Sequence, residues 1–192
     1  MNALKYWPGY IVSSLRARLY ALRPGKRKLI RNDRVRNSPL YDDVCLWQKT
    51  QMESMTFEND RPTKEVKGAV DLPLMRRIHR RTLLEIRHEL GDLWRPSSVT
   101  LNQGRGISLD QSIAIMHRLR DAGFPDDALG VVSVEFAGRR HSFAIVQDVK
   151  DDFWMLDNGT FSFCPVRGRV FLSVRRDVHV LIGFNFFDVW NY

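Results

Sequence analysis

The sequence predicts an α+β fold in which helices come first and pack on one face of an antiparallel sheet, with a basic arm ahead of them. Three observations predict it. Apolar residues recur at helical spacing up to residue 122; β-branched and aromatic runs broken by short polar turns take over from residue 129; and the excess positive charge all lies before residue 38. The 192 residues, 44% hydrophobic and 27% charged, suffice for one domain with a real core and an additional segment.

Residues 1–37 hold ten Lys or Arg against the single acidic Asp33, a net of +9, whereas residues 38–192 hold 20 basic and 21 acidic residues. Within this arm Ile11, Leu15, Leu19 and Leu22 recur on one helical face, with Arg16, Arg18 and Arg23 toward others, so a short basic amphipathic helix is expected. Lys26, Arg27, Lys28, Arg31, Arg34 and Arg36 follow in a stretch with too few apolar residues to bury itself. Two roles fit these nine residues. They form a solvated tail that aids solubility, or they dock on a polyanion: nucleic acid, an anionic lipid surface or an acidic protein partner.

Residues 38–72 read as a helix-and-loop connector, with Ser38 as cap, Pro39 in the first turn and Cys45 on the helix, followed by the polar "TFENDRPTKEVKG". The domain proper spans residues 73–192. Leu74, Ile78, Thr82, Ile86 and Leu90 fall at intervals of four before Gly91, which predicts an amphipathic helix over 73–90 with an Arg-rich outer face. After a loop, a second helix is expected from Ser108 to Ala122, with Leu109, Ile113, Met116 and Leu119 on its core face and Gly123 as its stop. Ser108-Leu109-Asp110-Gln111 fits a capping box in which the Ser108 hydroxyl accepts from the Gln111 N–H, worth about 1 kcal/mol. Strands are expected at "LGVVSVEFAG", "RRHSFAIVQDV" and "DFWMLDN", then at "FSFCPV" and "VHVLIGFNFF".

Several classes are excluded by composition. No apolar run approaches the ~20 residues of a membrane span, and Arg16 and Arg18 interrupt what would be the apolar part of a secretory signal, so a virion or cytoplasmic location is expected. Cys45 and Cys164 form no C-x-x-C pair and are expected to be reduced. The five histidines show no metal spacing with them, so neither a metal nor another cofactor is expected.

Short stretches in fixed order carry a further signal. Asp92, Trp94 and Pro96 stand where "D..W..P" would; Gly106–Ser112, "GISLDQS", stands where "GDCEDYA" would; "LRDAGFP", "HSFAI" from His141, "LDN" ending in Asp157 and Asn158, and "IGFNFFDVW" with Asn185 and Trp190 follow. In this order they resemble the transglutaminase-like cysteine peptidases of bacteria and phages, a branch of the papain-like superfamily. The resemblance implies a nucleophile at the head of the second helix, His141 as its base and Asp157 as the group that orients the base. Separations of 33 and 16 residues suit a helix crossing back to the first of two adjacent antiparallel strands.

The departure falls on the nucleophile. Ser108 replaces the Cys, with Ile107 and Leu109 in place of two acidic neighbours. A helix terminus and an imidazole suffice to ionise a thiol, but the far higher pKa of a hydroxyl leaves serine protonated under the same influence. The expectation is a transglutaminase-like protein that has lost the reaction. Ser108, His141 and Asp157 are then remnants of a triad: Ser108 a cap, His141 an edge or core histidine, Asp157 a turn residue before Asn158-Gly159. Such a protein would be a structural or binding subunit of a larger assembly, such as a phage virion, anchored on protein partners or nucleic acid by residues 1–37. The alternative is an active cysteine- or serine-type amide hydrolase using Ser108 or Cys45 with His141 and Asp157. Cys164, beside Pro165, reads as a strand-end or core residue.

Overall fold

A computed structural model describes residues 40–54, 70–91, 94–95, 97–148, 153–160, 162–168, 170–171, 177–186 and 188–190. The basic arm with its nine named residues and expected helix, together with Ser38, Pro39, Asp92 and Pro96, lies outside the described residues.

Helix α1 (Tyr41–Ser54) carries Asp42 and Asp43 in its first turn, where the helix dipole favours carboxylates. Its Val44 and Trp47 are buried in the main core. The Trp47 ring meets those of Trp94, Phe184 and Phe186 at centroid separations of 6.0, 5.5 and 5.8 Å. Gln48 Nε2 donates to the carbonyls of Asn185 and Asp188 at 2.9 and 3.2 Å, so the segment expected as a connector contains a helix integral to the fold.

Helix α2 (Leu72–Glu85) is capped by Asp71, whose carboxylate accepts from the Leu74 N–H at 3.0 Å, with Pro73 in the first turn. It is shorter than the expected 73–90. Ile86 is already extended (φ −116°, ψ 104°), and Arg87 N–H and Glu89 N–H donate to the carbonyls of Gly104 and Gly106 at 2.8 and 2.9 Å. These bonds make strand β1 (Arg87–His88), parallel to strand β2 (Arg105–Gly106). The buried stripe of α2 is Met75, His79 and Thr82, continued by Ile86, and Leu90 is 90% exposed. The expected row at intervals of four shares Thr82 and Ile86 with this stripe and misses its centre, where a histidine stands. Between β1 and β2, the segment expected as loop holds helix α3 (Ser97–Gln103).

Helix α4 (Ser108–Asp121) buries Leu109, Ile113, Met116 and Leu119 as expected. It ends in a Schellman motif: Gly123, at φ 90°, donates its N–H to the Arg120 carbonyl, and Phe124 donates to Leu119.

The sheet has six antiparallel strands: β3 (Leu129–Phe136), β4 (Arg139–Gln147), β5 (Phe153–Leu156), β6 (Val166–Arg167), β7 (His179–Phe184) and β8 (Val189–Trp190). Their order is β6-β5-β4-β3-β7-β8, so the expected meander runs from β3 to β6 and the chain then crosses back to pair β7 with the other edge of β3. Period-two alternation separates two faces. Val131, Ala144, Val146, Leu156 and Phe184 pack with α1, α2 and α4. Val132, Val134, Phe143, Ile145, Phe153 and Met155 pack with Phe171, Val178 and Trp190 on the other side. The Trp190 ring closes over Gly183, where an added Cβ would lie 2.1 Å from Nε1, so only glycine admits the closing hairpin. The strand expected over 161–166 is reduced to β6, and Cys164 is exposed rather than at a strand end or in the core. Among the described residues no helix is long and apolar enough to cross a membrane.

Candidate functional site

The head of α4 is held by a carboxylate, and not by the serine expected to cap it. Ile107 is the N-cap and Ser108 the first helical residue. Asp110 turns back on the chain: its carboxylate accepts from Ile107 N–H at 3.1 Å and from Arg95 N–H at 2.9 Å. Burial pushes the Asp110 carboxyl above its ordinary range, and the two N–H donors oppose that shift. The close approach of β2 requires Gly106, where an added Cβ would stand 2.8 Å from Asp110 Cβ. Gln111 N–H donates to the Ile107 carbonyl at 3.1 Å. The capping role expected for the Ser108 hydroxyl is therefore corrected: the N-cap stands one residue earlier, at Ile107, and the Gln111 N–H is taken by the Ile107 carbonyl.

Freed from the cap, Ser108 points at the sheet. Its Oγ accepts from the backbone N–H of Ser142 at 3.2 Å. Ser142 lies two residues before Ala144, the last position of β4 paired with β5, so the hydroxyl meets β4 where its neighbouring strand has ended. The preceding residue is His141, buried, with Nε2 against Asp157 Oδ1 in a short hydrogen bond. A carboxylate oxygen accepts, so Nε2 is the ring nitrogen that donates here. The other carboxylate oxygen of Asp157 accepts from Ser162 N–H at 3.0 Å, and Asp157 is fully buried. Both residues were expected in bland structural roles; the fold instead pairs them and places the hydroxyl of Ser108 on the adjoining residue.

Three supporting side chains escaped the sequence reading. His79, on α2, donates Nε2–H to the Asp157 carbonyl at 2.6 Å from a fully buried position. Gln111 Nε2 donates to the Ile86 carbonyl at 2.8 Å, and its Oε1 accepts from Asn158 Nδ2 at 2.9 Å, which ties the end of α2, the first turn of α4 and the loop after β5 together. His88, on β1 opposite Gly106, is close enough for its charge to be felt by the pair: burial, then repulsion from His141, lowers its affinity for a proton. The only signal for His79 was its place one residue beyond Ile78, where an apolar pattern reads it as a flank. Cys45 lies on α1, docked by Trp47 and Gln48 on Phe184, Asn185 and Asp188, so Ser108 is the candidate nucleophile position that reaches the backbone beside His141.

Burial dominates at His79 and lowers its proton affinity, with its bond to Asp157 opposing; burial lowers that of His117 as well. A histidine more acidic in the folded chain than in the unfolded one contributes stability that is complete above about pH 6.5 and is lost as pH falls from there through its lower folded value. Asp110, shifted upward, acts in the opposite direction at lower pH. The thermal midpoint is therefore expected to fall between pH 7.5 and 5.5, and to fall less in His79→Gln, which keeps an N–H donor but has no imidazole to protonate. Equal drops in the two proteins would remove His79 from this account.

A helix whose first residue meets the backbone beside a buried histidine, itself hydrogen-bonded to an aspartate just past the next antiparallel strand, stands here in a transglutaminase-like fold. Solved structures of Legionella pneumophila LapG share it: one superposes with a TM-score of 0.54 at 15% identity over 94% of this chain and 87% of that one. The EGTA-treated form gives 0.54 at 15% over 94% and 84%, and the calcium-bound form 0.53 at 15% over 94% and 87%. No family model matches the sequence, and no curated protein matches it either.

Proposed function

We propose that this chain is a non-hydrolytic member of the transglutaminase-like fold, serving as a structural or binding subunit of a larger assembly, such as a phage virion, and anchored there by residues 1–37. The carrying observation is Ser108 itself. It is the first residue of a helix, flanked by Ile107 and Leu109, and on the resemblance it takes the thiol's place, where the helix dipole and an imidazole can ionise a thiol but leave a hydroxyl protonated. Its Oγ lone pair is engaged by the Ser142 N–H. The His141–Asp157 pair then acts as a brace that closes the loop after β5 onto β4. Calcium belongs to the name of one LapG structure; among the described residues here no group of three or more His, Cys, Asp or Glu is gathered that could hold a metal ion, so no role is derived for one.

The second reading, a serine hydrolase of amides, is favoured by the completeness of the support around Asp157, with Ser162 N–H, His79 and the Gln111–Asn158 bridge all in place. One experiment separates the two. The native protein is expected to give no adduct with a fluorophosphonate, and deletion of residues 1–37 is expected to abolish incorporation into its assembly. An adduct at Ser108 that disappears in His141→Ala establishes the hydrolase instead, and unchanged incorporation of the truncated chain removes the arm as the anchor.

A further inference from the structure

The outer face of α2 is a charged surface distinct from the Ser108 site. Arg76, Arg77, Arg80 and Arg81 are all exposed. At spacings of one and four they form two adjacent rows across about 7.5 Å of helix axis. The one acidic residue of α2, Glu85, is shared between Arg81 Nε, at 2.6 Å, and Arg118. Among the described residues none of Arg76, Arg77 and Arg80 is ion-paired.

Packing does not require this density of charge. The opposite face of α2, with Met75, His79 and Thr82, makes the core contacts, and like charges four residues apart weaken a helix. What four guanidinium groups on one rigid face recognise is a repeated oxyanion. All four are Arg and none is Lys, which suits the planar bidentate fork to phosphate oxygens. A protein interface is built around an apolar centre. This face offers only Pro73 and Leu84, at its two ends.

We infer that the Arg76, Arg77, Arg80 and Arg81 face of α2 binds the sugar–phosphate backbone of a nucleic acid without reading its sequence. Because His79 on the inner face of the same helix holds Asp157, the bound strand would lie across the back of the helix that supports the His141 site. The inference is independent of whether that site turns over substrate.

The test is fluorescence anisotropy of a labelled 20-base-pair duplex of arbitrary sequence with the full-length chain, at salt concentrations from 50 to 300 mM. The parent is expected to bind, and R76Q/R77Q/R80Q/R81Q is expected to lose at least tenfold in affinity at 100 mM salt. Loss of four phosphate contacts is also expected to make the slope of log affinity against log salt about 3–4 units shallower. The arm contributes to both proteins alike, so the difference reports α2. Should the quadruple variant not fold by circular dichroism, R76Q/R80Q is expected to make the slope about 2 units shallower. A folded variant with the parent's slope and affinity overturns the inference. So does a parent that fails to bind at 50 mM salt, and so does binding to polyglutamate as tight as to the duplex, which would assign the face to an acidic protein.

Discussion

Ser108→Cys is expected to place a reactive thiolate at the head of α4. The sulfur would stand at the first residue of α4, with the Ser142 N–H directed at it and His141 on the adjoining strand position. Those influences lower a thiol from about 8.5 into the range of about 3.5–7.5. A value near 5.5 makes most of it thiolate at pH 6, against well under 1% for an ordinary cysteine, and a Brønsted penalty of about 0.4–0.5 per unit returns part of that gain. Net alkylation by iodoacetamide at pH 6 should be about tenfold faster than at the exposed Cys164. In Ser108→Cys/His141→Ala the advantage should shrink and the pH midpoint should rise. An introduced thiol that titrates and reacts like Cys164 would show that Ser108 and His141 do not form one site.

Asp157→Ala should be among the most damaging single changes in the chain. It removes, at a fully buried position, the carboxylate that accepts from His141 Nε2 and from Ser162 N–H. Breaking a buried, hydrogen-bonded pair from one side costs about 3–5 kcal/mol. Asp157→Asn keeps one acceptor oxygen and should cost about half as much. The measurement is the urea midpoint at unchanged slope, and a loss below about 1 kcal/mol for the alanine variant would refute the bracing role. The carbonyl of Asp157 survives either substitution, so His79 keeps its partner and the comparison isolates the carboxylate.

Much of the architecture was legible where residue type and spacing were simple. β3, β4, β5 and β7 are runs rich in β-branched and aromatic residues, and α4 announces itself by Leu109, Ile113, Met116, Leu119 and Gly123. Failure came where a polar residue took a core place or where backbone bonds overrode an amphipathic pattern. His79 broke the stripe of α2. The pairing of Arg87 and Glu89 with Gly104 and Gly106 cut that helix at Glu85, and α3 was hidden in a stretch of turn-forming residues.

The sequence by itself determined the order of helices and strands, the concentration of charge in residues 1–37, and the presence of serine where the resemblance requires cysteine. These are one-dimensional properties, set by periodicity and residue type. Only the tertiary structure decided what Ser108 does. A capping box is a local pattern of four residues, and Ser108 and Gln111 satisfy it in sequence; but the N-cap is Ile107, whose carbonyl takes the Gln111 N–H and whose N–H is held by the Asp110 carboxylate. The hydroxyl is thereby released to β4, a strand 34 residues away, beside a histidine whose partner comes from the loop after β5. Competition between a near acceptor and a distant donor is settled by where the sheet places Ser142, and local spacing carries no record of that position.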